Sequence, residues 1–275
     1  MADFVLKNKL KRLREIIRSL SSLLVAYSGG VDSSLLAKVA ANILGDNLLA
    51  VLARSPTYTS SELIRAKEFV RRHKIKFLTI RTNELDSPWF CANTRNRCYY
   101  CKRELFLCLQ KIAAERRIKY IADGANYDDR RDYRPGARAA KECKVRSPLQ
   151  EAGLTKKDIR SISRRMGLST WNQPSLACLA SRLPYGQNIT PAVLKRVESA
   201  EEFLRGLGFS QVRVRHYDNL ARIEIETGRI ADFTAGLRAK VVFLFKKLGY
   251  DYVTLDLEGY RSGSMNEPFF SGPEK

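Results

Sequence analysis

Histidine is nearly missing from this chain, with two in 275 residues, and neither His73 nor His216 stands at ligand spacing from a second donor. A zinc site completed by a histidine pair is therefore disfavoured. Long apolar runs are also missing: no stretch approaches the ~20 residues needed to cross a bilayer, so no membrane partner is expected. The N-terminus shows neither the apolar core nor the small-residue cleavage site of a secretory signal, and the cytoplasm is the expected compartment. No internal repeat or low-complexity tract interrupts the pattern. Acidic residues are scarce beside basic ones, 29 Asp plus Glu against 49 Lys plus Arg, which leaves a formal charge of +20. Such a field draws in anions. The basic residues are scattered, with doublets such as Arg71-Arg72, Arg116-Arg117 and Arg164-Arg165, and they form neither a compact block nor an RNA-binding signature. A small phosphorylated substrate or a generally basic proteome is the favoured reading of the charge, and nucleic acid stays open beside them.

What is present is an ordinary globular balance, 44% hydrophobic and 28% charged, in a length that suits one large domain or two smaller ones. Phe4, Leu6, Leu10, Leu13, Ile17 and Leu20 recur at helical spacing among Lys and Arg and predict an amphipathic helix over the first twenty residues. Apolar runs predict strands at Leu23–Tyr27, Leu48–Ala53, Phe77–Arg81 and Tyr120–Asp123. Helical periodicity falls between them, at Ser33–Ile43, Ser60–His73 and Arg103–Arg117. This alternation predicts an α/β fold, a parallel sheet with helices on both faces, with its ligand outside the carboxyl ends of the strands. From Thr190 the order becomes helix 191–207, strands 212–217 and 221–226, helix 229–248 and strand 252–257, a small α+β domain. The punctuation Pro184-Tyr185-Gly186 places the boundary, giving domains 1–186 and 187–275. A homo-oligomer is expected.

Directly behind the first predicted strand stands Ser28-Gly29-Gly30-Val31-Asp32-Ser33-Ser34. Two glycines let successive backbone N–H groups turn inward as an anion nest, and the helix that follows adds its positive N-terminal end. No Lys follows the glycines, so the triphosphate grip of a Walker loop is not what this turn offers. ATP is the expected ligand, held by Ala26, Ser28, Gly29, Gly30, Asp32 and Ser33. Asp32 would act through Mg²⁺ as a carboxylate ligand. Asp123, Gly124 and Asn126, at the end of the fourth predicted strand, would line the same site. The plainer alternatives are a Gly-Gly turn before a capped helix and a turn-forming Asp/Gly/Asn cluster.

Six cysteines stand at 91, 98, 101, 108, 143 and 178. In a cytosolic chain they point to metal or catalysis before disulfides. Cys98-Tyr99-Tyr100-Cys101 can turn two thiolates toward one metal, act as a redox pair, or pack as two buried residues at a helix start. Cys178, between Leu and Ala and four residues before Arg182, reads either as packing or as a thiolate favoured by a positive neighbour. Arg213 and Arg215 alternate on a predicted strand and so share a face, either as a phosphate grip or as a solvated ladder.

The Ser-Gly-Gly-x-Asp-Ser run resembles the signature of the PP-loop ATP pyrophosphatases, which cleave ATP between its α and β phosphates. Further motifs follow in order: Asn96-Arg97-Cys98-Tyr99-Tyr100-Cys101-Lys102, Asp123 to Asp129, Asp132-Tyr133-Arg134-Pro135-Gly136, Cys178 to Arg182, Val212 to Arg215, and Gly259 to Asn266. Together, over residues 8 to 266, they resemble the LarE family of ATP-dependent sulfur transferases, which serve synthesis of the nickel-pincer cofactor of lactate racemase. The resemblance implies adenylation of a pyridinium dicarboxylate mononucleotide, loss of pyrophosphate, and displacement of AMP by sulfur. It implies that Cys98, Cys101 and Cys178 hold a 4Fe-4S cluster carrying the sulfur, where another variant of the family gives up the sulfur of a single Cys. Cys91, Cys108 and Cys143 are then structural. Lys102, Ser181 and Arg182 would steady the developing charge of the acyl-adenylate, and Arg213, Arg215 and Arg261 would hold the substrate. Competing readings are a tRNA thiolase, an amidotransferase-type ligase such as an NAD or GMP synthetase, and a nucleotide-binding regulator without turnover.

Overall fold

The computed structural model describes residues 2–131, 135–174, 177–261 and 264–266. The chain divides into two units, one of Met1–Phe90 with Arg95–Leu176 and the other of Cys91–Thr94 with Ala177–Lys275. The division falls before the Pro-Tyr-Gly punctuation because that segment is bonded into the second unit. Gly186 donates its N–H to the Asn93 carbonyl (3.1 Å), Ile189 donates to that of Cys91 (2.9 Å), and the Asn93 amide donates to that of Pro184 (2.7 Å). Among the described residues, no helix is long and apolar enough to cross a membrane.

The first unit is built on four parallel strands, β1 (Leu23–Tyr27), β2 (Leu48–Arg54), β3 (Phe77–Arg81) and β4 (Tyr120–Ala122), in the order β3-β2-β1-β4. β1 reads as an unbroken apolar run because both of its faces are covered. Leu23, Val25 and Tyr27 pack with Leu13, Ile17, Leu35 and Leu36 from the helices Ala2–Leu20 and Val31–Leu44. On the opposite face Leu24, Leu49, Val51 and Ile121 meet Phe106 and Leu109 of helix Arg97–Glu115 and Ala139 and Ala140 of helix Pro135–Glu142. This is the expected α/β layering. The strands agree with the sequence reading to within a residue at their ends. The helix expected from Arg103 starts earlier, at Arg97, which places the Cys-x-x-Cys unit inside its opening turns.

Strand order positions the site. The chain steps outward from β1 to β2 to β3, then returns to pair β4 with the other side of β1. Connections leaving the carboxyl ends of β1 and β4 thus depart in opposite directions, opening a crevice at the switch point. The loops that begin at Ser28 and Asp123 lie there.

In the second unit, β5 (Arg213–Tyr217) and β6 (Leu220–Glu224) are antiparallel and β7 (Tyr252–Leu255) runs parallel to β6, in the order β5-β6-β7. Val214, Ala221 and Ile223 pack on Ala200 and Leu204 of helix Pro191–Gly206 and on Phe245. By the two-residue period of strands, the other face carries Arg213, Arg215, Tyr217, Arg222 and Glu224. The single helix expected over 229–248 is broken by a π turn at Phe233–Leu237 before it resumes at Arg238–Lys247. Gly236 lies in that turn, where its low helical propensity weakens the preference for regular winding.

Candidate active site

The phosphate loop is shaped by its own hydroxyls. The Ser28 N–H donates to Ser33 Oγ (3.2 Å), the two seryl oxygens share a hydrogen bond of 3.0 Å, and Ser33 Oγ donates to the Gly30 carbonyl (3.2 Å). Gly30 is the N-cap of helix Val31–Leu44, extended at φ −75° and ψ 165° and without a side-chain cap. The N–H groups of the first helical turn lack carbonyl partners within the helix and gather its positive end. Gly29 turns the chain at φ +79°, and a Cβ there would lie 2.6 Å from the Cβ of Ala66. Gly124 lets the loop after β4 approach from the other side: a Cβ on it would lie 3.0 Å from the Ser33 nitrogen and 3.2 Å from its Cα. Gly29→Ala is expected to destabilise the chain by about 2–4 kcal/mol, combining left-handed strain with overpacking. The urea midpoint would fall at constant slope; an unmoved midpoint would remove close packing as the reason for this glycine.

Asp32 is half-buried at the head of the helix. One carboxylate oxygen, Oδ2, pairs with the Lys156 ammonium, and the other, Oδ1, is buried without a hydrogen-bond partner. An orphaned, negatively charged acceptor beside an anion nest suits a divalent cation bound to phosphates. Sequence reasoning did not find Lys156, because its 124-residue separation from Asp32 hides the pairing. Asp123 and Asn126 shape their own loop. Asp123 Oδ1 accepts from Ser147 Oγ (2.8 Å) and the Ala125 N–H (3.1 Å), and Asn126 Oδ1 accepts from the Asp128 N–H (2.9 Å).

Beside the loop, Ala26, Tyr27, Ser28, Val51, Leu63 and Lys102 are among the residues lining a cleft at the ends of β1 and β2. Its apolar walls suit a purine and its loop suits phosphates. The structure therefore brings Ala26, Ser28 and Lys102 to one place. Lys102 belongs to the helix that carries Cys98 and Cys101, one turn apart, Cys98 exposed and Cys101 half-buried. The Cys101 thiol lies 3.7 Å from Glu84 Oε1 as its donor. Glu84 is itself buried and accepts from Ser55 Oγ (2.8 Å) and Thr82 Oγ1 (3.1 Å). No periodicity marked Glu84, which stands in an irregular connection. Among the described residues, no three His, Cys, Asp or Glu side chains come together to hold a metal ion, and Cys178 belongs to the second unit. Burial raises the thiol pKa of Cys108 and of Cys143 above its ordinary value, as suits inert packing.

In the second unit Cys178 caps the short turn Leu179–Arg182. Its carbonyl accepts from the Ser181 N–H (2.9 Å), Ser181 Oγ (2.7 Å) and Arg182 Nη1 (2.9 Å). Arg182 is fully buried. It grips the Glu201 carboxylate with Nε (2.8 Å) and Nη2 (2.9 Å) and also donates to the Ala177 carbonyl. Arg182 thus connects Glu201 to the backbone of Cys178. Arg215 is arranged in the same way, donating to Glu224 through Nε (2.9 Å) and Nη2 (2.8 Å), to the Ser181 carbonyl (3.1 Å) and to Ser264 Oγ (2.9 Å). Four of its five N–H donors are engaged. Arg213 is half-buried with its guanidinium over the Tyr260 ring at 5.3 Å. Burial lowers its pKa, and the charge of Arg182 lowers it further. Arg261 pairs with Glu258 (2.9 Å) and Asp256 (3.5 Å). The sequence signal for Glu201 was a carboxylate within the apolar stripe Leu194, Val197, Ala200 and Leu204. Asp132, Tyr133 and Arg134 lie outside the described residues, as do Ser175, Leu176, Ser262 and Gly263.

Residues 5–97 match the NAD synthase family model. An uncharacterized protein of Synechocystis sp. is 47% identical over 95% of this chain and 98% of its own length. The pyridinium-3,5-bisthiocarboxylic acid mononucleotide synthase of Lactiplantibacillus plantarum is 38% identical over 95% of each. An uncharacterized protein of Methanocaldococcus jannaschii is 32% identical over 94% of this chain and 96% of its own. The NAD synthase match ends within the first unit, whereas these three relatives run through both, across the phosphate loop, the Cys-x-x-Cys helix and the arginine-bearing strand alike. The chain therefore belongs to the LarE family, that of the pyridinium-3,5-bisthiocarboxylic acid mononucleotide synthase.

Proposed function

We propose that this chain is an ATP-dependent sulfur transferase acting on a pyridinium dicarboxylate mononucleotide. A substrate carboxylate attacks the α-phosphorus of ATP, pyrophosphate leaves, and the acyl-adenylate forms. Hydrosulfide or a thiolate then attacks the carbonyl carbon, and AMP leaves with the electron pair of the broken C–O bond. Adenylation is needed because carboxylate oxygen is a poor leaving group and AMP a good one. The observation that carries the reading is the lysine-free phosphate loop at the switch point, with Lys102 brought into its cleft.

Within this reading the first-turn N–H groups and the hydroxyls of Ser28 and Ser33 take the phosphates, and Asp32 Oδ1 takes the magnesium ion that shields them. Lys102 offsets charge developing at the adenylated carboxylate. Arg213 supplies the positive charge that draws the mononucleotide phosphate. Arg215 supports it by fixing the strand, since its own donors are largely engaged by Glu224. Cys98, Cys101 and Cys178 are proposed as ligands of a 4Fe-4S cluster, which when bound would offer one iron without a protein ligand for hydrosulfide.

Incubation with ATP, sulfide and the dicarboxylate mononucleotide is expected to yield AMP, pyrophosphate and a thiocarboxylate seen by mass spectrometry. Asp32→Ala should abolish AMP formation, and Arg213→Ala should weaken substrate affinity by about 2 kcal/mol, the scale of a charge-assisted hydrogen bond. ADP and free phosphate as the stoichiometric products would overturn the assignment.

A further inference from the structure

We infer that Lys156 is a further catalytic cation of this site, which contacts the β-phosphate of ATP and offsets the charge that develops on pyrophosphate as it leaves; the inference rests on the adenylation proposed above. Lys156 opens the helix Lys156–Arg165, whose Ile159 and Ile162 pack in the same core as Leu35 and Leu36 of the helix behind the phosphate loop. Lys156, Ile159 and Ser163 are spaced three and four residues apart and so share one face, and Ile159 and Ser163 are both fully buried. Lys156 therefore leaves its helix on the side that packs inward. It is half-buried and reaches Asp32 Oδ2, whereas its neighbour Lys157 is exposed. The head of the helix is fixed in place. Thr155 caps it in a reciprocal pair with Asp158, and the Lys156 N–H donates to Asp128 Oδ2 (2.8 Å) in the connection that follows β4.

On grounds of stability alone the setting is a poor one for an ammonium. The first turn of a helix is its positive end and disfavours a cation, and Lys156 stands at two such ends, that of its own helix by sequence and that of Val31–Leu44 through Asp32. Asp32 sets one negative charge against the ammonium, two helix ends and the N–H groups of the nest, which leaves the site positive. That excess suits a polyanion. An ammonium carries three donors; among the described residues Asp32 takes one, and two are left for phosphate oxygens. The order of the site assigns those oxygens. The cleft that suits the purine is lined by Ala26, Tyr27 and Ser28, so a nucleotide that starts there meets Ser28 and the glycines first, and Asp32 with Lys156 last. Lys102 lines the cleft, and Lys156 stands at the other end of the loop, on the side of the leaving group. In adenylation the substrate carboxylate oxygen bonds to the α-phosphorus, the bond from that phosphorus to the α–β bridging oxygen breaks, and the bridging oxygen keeps the electron pair. Charge therefore grows on pyrophosphate, where a fixed ammonium favours the transition state over the ground state. Lys156 thus brings, from 124 residues away, the cation that a Walker loop carries within itself. No proton has to move.

The test uses the whole chain. By calorimetry with magnesium present, Lys156→Met should bind pyrophosphate about tenfold more weakly than wild type and AMP within about twofold. Lys156→Arg should stay within about threefold for both, and Lys157→Met should be unchanged. A lysine that merely neutralises Asp32 gives a different pattern. In an Asp32→Asn background its removal would no longer weaken pyrophosphate binding, whereas direct contact keeps the loss at about tenfold. Single-turnover AMP formation reads the step itself, using two ATP analogues bridged between the β and γ phosphorus by CH2 or CF2. The fluorinated analogue has the less basic leaving group, so loss of the cation should slow the CH2 compound more. The CF2-to-CH2 rate ratio should rise about threefold or more in Lys156→Met. Thermal unfolding checks the fold of each variant, and Lys156→Gln serves as a second neutral replacement. Pyrophosphate affinity unchanged in both neutral variants, a loss that vanishes in the Asp32→Asn background, or an unmoved rate ratio each overturns the role of Lys156 and leaves the sulfur-transferase reading standing. ADP and free phosphate as the products of wild type overturn both together.

Discussion

Glu201→Ala is expected to destabilise the second unit by about 3–5 kcal/mol, the scale of breaking a buried ion pair from one side. The carboxylate has no exposure and accepts from Arg182 twice, from Arg205 (2.6 Å) and from the Val214 N–H (3.1 Å). Its removal leaves the Arg182 guanidinium buried with unbalanced charge and the Val214 N–H without that acceptor. Burial by itself would push the Glu201 pKa up, yet the charges of Arg182, Arg213 and Arg205 outweigh it and hold the carboxyl below its usual range. A folded pKa below the unfolded one means that the stabilisation is present above the ordinary carboxylate value of about 4.3 and is lost as pH falls through the folded value. Wild type should therefore lose stability steeply below about pH 4, and Glu201→Gln should flatten that slope. Urea midpoints at neutral and acid pH read both effects; a Glu201→Gln midpoint equal to wild type at neutral pH would show that the pair contributes nothing. Function should follow stability, because Arg182 also holds the carbonyl of Cys178. Loosening Arg182 frees the backbone that presents that thiol.

Elements whose cause is local were legible in the sequence. β1 is an apolar run bounded by turn residues, and the phosphate loop is a string of small residues between a strand and a helix. Features that depend on register or on distant pairing were not. Alternation correctly put Arg213 and Arg215 on one face, but only the pairing of β5 with β6 sets Arg213 opposite Glu224 and Arg215 opposite Arg222. That register allows Glu224 to take the Arg215 guanidinium that alternation alone assigns to a ligand. Glu84 and Lys156 escaped notice for the same reason, since a carboxylate in a connection and a lysine in a charged helix look solvated until the fold closes around them. Arg182 reads as a catalytic cation beside a cysteine in one dimension, and in three it is a buried strut. The buried carboxylates of Glu84, Glu201 and Glu224 are each satisfied by several donors, as burial of charge requires.

Cys98→Ala, Cys101→Ala and Cys178→Ala are each expected to lose sulfur transfer while retaining adenylation, and Cys108→Ala is expected to retain both. The contrast follows from their surroundings. Cys98 is exposed at the start of its helix, Cys101 is half-buried one turn further on, and Cys178 heads a turn clamped by Ser181 and Arg182. Burial instead keeps the Cys108 and Cys143 thiols protonated, which suits neither metal binding nor nucleophilic attack. If the three cysteines share a cluster, each substitution removes a ligand, and iron content after anaerobic purification should fall in all three variants. Wild type with added sulfide should then exceed one turnover with its polypeptide mass unchanged. A sulfur donor that is the protein itself behaves otherwise. The Cys178 thiolate would attack the acyl-adenylate, and elimination across its Cα–Cβ bond would release the thiocarboxylate and leave dehydroalanine, a loss of about 34 Da, the mass of hydrogen sulfide. Such a loss at Cys178, together with full single-turnover activity in Cys98→Ala and Cys101→Ala, would remove the cluster and keep the sulfur transferase. Loss of AMP formation in the cysteine variants would contradict the separation of the two half-reactions, because adenylation is assigned to the loop at Ser28–Ser34 and to Lys102, none of which is a cysteine.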